Sequence, residues 1–403
     1  MKLTSRRLSE SRYRGTAMVT QHGRHRRKRN RGVLALVAAA VVLLAGGTAV
    51  ALLRRDAGVH PSASAGGAST SSSAPAGTAR SAEKSGRARP PSESPILPAV
   101  SVASPRLGAV IRVGGTPQYA QVAPDGTFAY VTDPAAGTVI RLDTRSDTLT
   151  ATIRVPQGPP QLLSFSADGR RAFVSVFDKQ YRANYVVYID TATNAVTKAV
   201  AVDPGPYAVS PSPDGHTLYV PLYLQPHLDV VDIPSAKVVA RIPVAANPHW
   251  LAYSRDGRLG YVTNHFSDVV TVLDLHTNTP VTTIPAGHGP HCIAASPDGR
   301  RIAVVDYIGN TATVIDTATN TAVATVPNVG AQPQDVTYAP DGRHFYTANS
   351  NDGTVTVVDT TSNTVTARVR TGTSPTSVTV LPNGRKAYVT NFDDGTLRVL
   401  RTG

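Results

Sequence analysis

Residues 333–370 read PQDVTYAPDGRHFYTANSNDGTVTVVDTTSNTVTARVR, and this stretch decides the fold. After Pro333, Val336 to Tyr338 is a short strand. Ala339-Pro-Asp-Gly342 turns it: Pro fits the second position of a type I turn, and Gly supplies the left-handed residue that closes a bulge. His344 to Ala348 is the second strand. Thr354-Val-Thr-Val-Val358 alternates with period two and is the third. Asp359-Thr-Thr-Ser-Asn363 turns it through side chains that bond local backbone, and Thr364 to Val369 is the fourth.

The same unit recurs outward in both directions. Asp-Gly or Asn-Gly pairs open at Asp125, Asp168, Asp214, Asp256, Asp298, Asp341 and Asn383. A Pro precedes each at a fixed distance: Pro117, Pro160, Pro206, Pro248, Pro290, Pro333 and Pro375. Second turns open at Asp143, Asp190, Asp232, Asp274, Asp316 and Asp359. A period of about 42 residues with four strands per unit is the signature of a propeller blade. The fold expected is therefore all-β, a seven-bladed β-propeller of four-stranded blades over residues 105–403. The last repeat stops at Leu400 after three strands. The segment Gly108 to Val113 supplies a fourth, so an N-terminal strand should complete the last blade and close the ring.

Tyr261-Val-Thr-Asn264 and Tyr388-Val-Thr-Asn391 recur at one position of the unit, with Tyr130-Val-Thr-Asp133 close to them. With Ser296-Pro-Asp-Gly-Arg300 and Asp316-Thr-Ala-Thr-Asn320, they make the chain resemble the YVTN-type β-propeller repeat proteins. Blades 2 and 3 depart from that pattern, with Val176 and Leu222 in place of Asn. The resemblance implies the fold and an envelope or surface location. Propellers of similar build carry copper, haem d1, quinoprotein subunits or lactonase sites, so it implies no single activity.

The chain has 403 residues and a formal net charge of +13. All of that excess lies in residues 1–104, which hold 17 Lys+Arg and 4 Asp+Glu; residues 105–403 hold 23 of each sign and no Glu. The propeller is therefore neutral by count, and nucleic acid is not expected as its partner. Residues 1–31 read as a basic cytoplasmic tail. Residues 32–53 carry no charge and are long enough for a transmembrane signal-anchor helix. Residues 54–104, rich in Ser, Ala and Pro, read as a disordered linker. The expectation is a monomeric propeller held on the outer side of a cell membrane by a single pass. A cleaved signal peptide is the rival reading. The single Cys, Cys292, excludes an intrachain disulfide framework and reads as a small hydrophobe packed between blades.

In a propeller, the loops joining fourth to first and second to third strands share one face around the central channel. The residues after the repeat prolines are Gln118, Gln161, Tyr207, His249, His291, Gln334 and Thr376, all able to hydrogen-bond. The second-to-third loops begin with Pro134, Phe177, Tyr223, His265, Tyr307, Ser350 and Phe392. A polar inner ring with aromatic neighbours offers stacking area and convergent polar groups. The expected function is a binding module for a cell-envelope ligand or protein partner. The alternative is a metal-dependent or lactonase-like enzyme or redox partner. For that alternative the candidate metal ligands are His249, His265, His288, His291 and Asp306. No resident cofactor is expected, with copper or zinc as the lesser choice. The insertion Asp178 to Asn184 breaks the repeat symmetry at the blade 2 rim, where repeat proteins often bind.

Overall fold

The computed structural model describes residues 97–403, and the expected tail and membrane helix lie outside them. Among the described residues, no helix is long and apolar enough to cross a membrane. They form seven four-stranded antiparallel sheets. Blade 6 runs Pro333–Tyr338, His344–Asn349, Thr354–Asp359, Thr364–Arg370, matching the sequence reading within a few residues. The strand Arg106–Arg112 pairs with Thr396–Arg401, so the N-terminal strand completes blade 7 as expected.

The hydrophobic cores lie between blades. Tyr261, Val270 and Val272 of blade 4 pack against Ile293, Ile302 and Val304 of blade 5. Leu142 and Ile140 of blade 1 pack against Tyr388 and Leu397 of blade 7, which closes the circle. Fully burying one such side chain stabilises by about 1.5–3 kcal/mol, so every blade depends on both neighbours. The outer strands are mostly exposed; in Thr364–Arg370 exposed and half-buried residues alternate.

The packed domain begins ahead of residue 105. Ala99 N–H donates to the Asn383 carbonyl, and Val102 N–H to that of Thr402. Ser101 is buried; its N–H and Oγ–H both donate to the Asp341 carboxylate, at 2.6 and 2.8 Å. His344 Nδ1 lies 2.7 Å from the same hydroxyl. Ser101 has a single hydroxyl proton, so His344 Nδ1 is the donor there. The latch lies on the face that bears the Asp-Gly turns, opposite the channel mouth.

Candidate functional site

The YVTN residues explain how the mouth is held. The Tyr261 ring is fully buried, and its hydroxyl donates to Asn320 Oδ1 in the next blade at 2.6 Å. Tyr130 does the same to Asn194 at 2.7 Å, and Tyr388 to Asp147 of blade 1 across the closure. Thr263 Oγ1 accepts from Trp250 N–H at 3.1 Å and donates to the His291 carbonyl at 2.6 Å. It thereby pins the inner strands of blades 4 and 5 together. Asn264 Nδ2 donates to the Ala245 carbonyl at 2.7 Å, while its Oδ1 accepts from Thr271. That fixes the loop carrying Asn247, whose backbone is left-handed at φ 62°.

On this frame the sector from blade 2 to blade 5 forms a run of ring contacts. It passes from Tyr181 and Phe177 to Tyr223, Tyr207, His249, His291 and Tyr307, with centroid separations of 4.3 to 6.0 Å. His265 packs 4.9 Å from His249. The blade 2 insertion thus contributes Tyr181, which also touches Tyr223 through its hydroxyl. Leu224, Phe266 and Ile308 stand at equivalent loop positions of blades 3, 4 and 5 and are exposed, giving the mouth an apolar rim.

The imidazoles are neutral. Burial, with His265 adjacent, pushes His291 down to about 3. Burial, then His291 and His265, also holds His249 well below the usual histidine range. His249 Nδ1 lies 3.0 Å from the Asn247 carbonyl, which can only accept. The proton is therefore on Nδ1 and the lone pair on Nε2. His291 Nδ1 donates to the Gln334 carbonyl at 2.8 Å, and its Nε2 faces Tyr207 Oη at 2.9 Å. Asn247 Oδ1 and His265 Nδ1 of blade 4 are buried without a partner, as is Gln334 Oε1 of blade 6.

Other expected site residues lie apart from this run. Gln161 Nε2 donates to the Phe177 carbonyl at 3.0 Å. Gln118 and Phe392 belong to blades 1 and 7, away from the imidazoles; the Gln118 carbonyl accepts from Thr376 Oγ1 at 2.6 Å. Of the five expected metal ligands, His249, His265 and His291 come together, with ring centroids 4.9 to 5.6 Å apart, but His288 and Asp306 do not join them. His288 is exposed and paired with Asp268 at 2.9 Å. Asp306 occupies the blade 5 position of Asn264, where Thr311 and Thr313 hydroxyls donate to its Oδ2. Among the described residues, the three ligand atoms that come within 4.8 Å of one another belong instead to Asp203, His227 and Asp229. Arg241 already bonds both of those carboxylates, at 3.0 and 3.2 Å.

Cys292 is buried between blades as expected, but it is more than a hydrophobe. Its Sγ–H donates to Asp335 Oδ1 at 3.0 Å, and Asp335 Oδ2 accepts Val378 N–H from blade 7 at 2.8 Å. Burial raises the Asp335 carboxyl to about 6. Trp250, Asn247, Asp335 and Tyr119 were not expected at the channel. Trp250 and Tyr119 meet across it, from blade 4 to blade 1, with centroids 6.3 Å apart. On the opposite face, grooves between turns are lined by Asp214, Asp256 and Asp274. Those carboxylates each accept backbone N–H groups of their own turns.

Comparison with known proteins agrees with this architecture. The family described as YNCE-like beta-propeller matches residues 251–344. The family described as Cytochrome D1 heme domain matches residues 310–402. No curated protein matches the chain. Among solved structures, Kuenenia stuttgartiensis Hydrazine Synthase superposes with a TM-score of 0.65 at 21% identity, covering 72% of this chain and 96% of that one. The expectation of no cofactor is overturned by the second family match, since that family is described by its haem. The chain is a seven-bladed β-propeller, and its residues 251–344, from blade 4 to the start of blade 6, match the family described as YNCE-like beta-propeller.

Proposed function

We propose that the protein is a ligand-binding propeller whose site is the blade 2–5 sector of the channel mouth. The observation that carries this reading is the unbroken run of ring contacts from Tyr181 to Tyr307 around the neutral imidazoles, bordered by the exposed Leu224, Phe266 and Ile308. Aromatic faces beside exposed apolar side chains give stacking area for a ligand at the mouth of a closed ring. The wall carries no charge at physiological pH, so the ligand's contacting part is neutral and ring-shaped. With the basic tail and the uncharged stretch 32–53, we place this module outside a membrane, facing the cell envelope.

Haem is the second reading, favoured by the match over residues 310–402. Within those residues the sole histidine is His344, on the turn face and bonded to Ser101. The donors that fit lie on blade 4. His249 presents its Nε2 lone pair because the Asn247 carbonyl holds the other ring proton, the usual support for a metal-bound imidazole. His265 adds a buried, unpartnered Nδ1, and Leu224, Phe266 and Ile308 supply apolar surface. When bound, such a group supplies an iron centre whose behaviour is set by its axial ligand and surroundings. The chain's part is to orient His249 and exclude water.

Both readings are tested on the full chain. Envelope glycans and wall fragments are screened by calorimetry, and hemin is titrated optically. His249→Ala, Tyr223→Ala and Tyr307→Ala should each weaken a hit. Undiminished binding in all three would move the site elsewhere. A hemin spectrum unchanged by His249→Ala and His265→Ala would remove the haem reading.

A further inference from the structure

The channel beneath the mouth holds an unusual concentration of oxidisable side chains. The chain has one Trp and one Cys in 403 residues. Trp250 and Cys292 occupy equivalent positions of the inner strands of blades 4 and 5. Trp250 lies 5.1 Å from Tyr207 and 5.3 Å from His291, measured between ring centroids. Tyr119 reaches Trp250 from across the channel, and Tyr307 stacks on His291 at 5.4 Å with 28° between planes. The rings therefore run in contact from the rim, at Tyr307, to blade 1.

One pair in this run has a defined proton direction. Tyr207 of blade 3 reaches over blade 4 to place its hydroxyl 2.9 Å from His291 Nε2 of blade 5. The Gln334 carbonyl, 2.8 Å from Nδ1, can only accept, so Nδ1 carries the ring proton. Nε2 is then an acceptor, and Tyr207 is the donor. Thr263 holds the backbone of His291 in place, which fixes the pair from both sides.

We infer that Tyr207 is a redox-active tyrosine whose oxidation is coupled to proton transfer onto His291. One electron leaves the phenol for an outer-sphere one-electron oxidant, a high-potential metal complex, at the channel mouth. The phenolic O–H bond breaks, and its proton forms an N–H bond with His291 Nε2. The products are a neutral tyrosyl radical, an imidazolium and the oxidant reduced by one electron. Reduction returns both particles. The inference concerns the floor of the mouth and does not depend on which ligand the mouth binds.

The test is flash photolysis of the full chain with a tris-bipyridyl ruthenium complex and persulfate as electron acceptor. Tyrosyl formation is followed by transient absorption and by electron paramagnetic resonance. Tyr207→Phe should remove most of the tyrosyl yield, although 14 of the 15 tyrosines remain. His291→Gln should slow radical formation several-fold and abolish its slowing in deuterium oxide. Tyr119→Phe should leave the yield at Tyr207 unchanged. Spin-trap adducts mapped by mass spectrometry on the unaltered protein give an independent readout, should any variant fail to fold. An undiminished tyrosyl yield in Tyr207→Phe, or adducts confined to other tyrosines, would overturn the inference.

Discussion

Asp306→Asn should make the protein more stable, and only at neutral or higher pH. Asp306 stands where blade 4 has Asn264. There the amide Nδ2 bonds the Ala245 carbonyl while Oδ1 accepts two groups from Thr271. In blade 5 the hydroxyls of Thr311 and Thr313 donate to Asp306 Oδ2, but Oδ1 is buried with no partner. A carboxylate has no donor to offer, so burial raises this carboxyl from 3.8 to about 6. A folded-state value above the unfolded one means that folding favours the protonated form. The favourable contribution is full below about pH 4 and is lost as pH rises through about 6. A rise from 3.8 to about 6 corresponds to about 3 kcal/mol at neutral pH. Unfolding entropy of about 2.1 cal/mol/K per residue over about 300 residues makes this roughly 5 °C in Tm. Thermal unfolding followed by circular dichroism measures it. The variant should exceed the parent by several degrees at about pH 7.5 and match it near pH 4. An equal or lower Tm at about pH 7.5 would refute the reasoning, because the unpaired carboxylate would then carry no penalty.

Three further outcomes follow from bonds described above. Cys292→Ala removes the thiol donor to buried Asp335 and should cost about 1–3 kcal/mol in denaturant unfolding. Tyr261→Phe strands the Asn320 acceptor without opening a cavity and should cost about 0.5–1.5 kcal/mol. Deleting Arg106–Arg112 exposes the edge of Thr396–Arg401, and light scattering should show aggregation well below the parent Tm.

The blades were legible because each turn needs Gly, Pro and Asp at fixed offsets, and the offsets repeat. Closure was legible because the last repeat lacked one strand. The imidazole cluster was legible only as equivalent positions, His249 and His291. What strict alternation concealed was the inner-strand bulge. The register slips between Pro248 and Leu251 and between Pro290 and Ile293. A bulge breaks the in-out alternation, so two successive residues can approach the channel. Hence Trp250 accompanies His249 there, and Cys292, expected as a small hydrophobe between blades, meets a polar partner. Asp335 follows the same rule after Pro333, where the register also slips. Asn247 and its orphan Oδ1 depend on a left-handed loop residue, which no periodicity marks.

The closing strand also sets how the ring bears mechanical load. Arg106 lies opposite Arg401 and Arg112 opposite Thr396, so the strand's N-terminal end is at the turn face. A pull on the N-terminus, directed away from the mouth, first meets the Ala99–Asn383 bond and the Ser101–Asp341 latch and then acts along the strand axis. The antiparallel bonds lie perpendicular to that axis, so they share the force together rather than parting one by one. Tension at one end is therefore resisted by the whole blade 7 seam, and the mouth stays shaped until that seam fails.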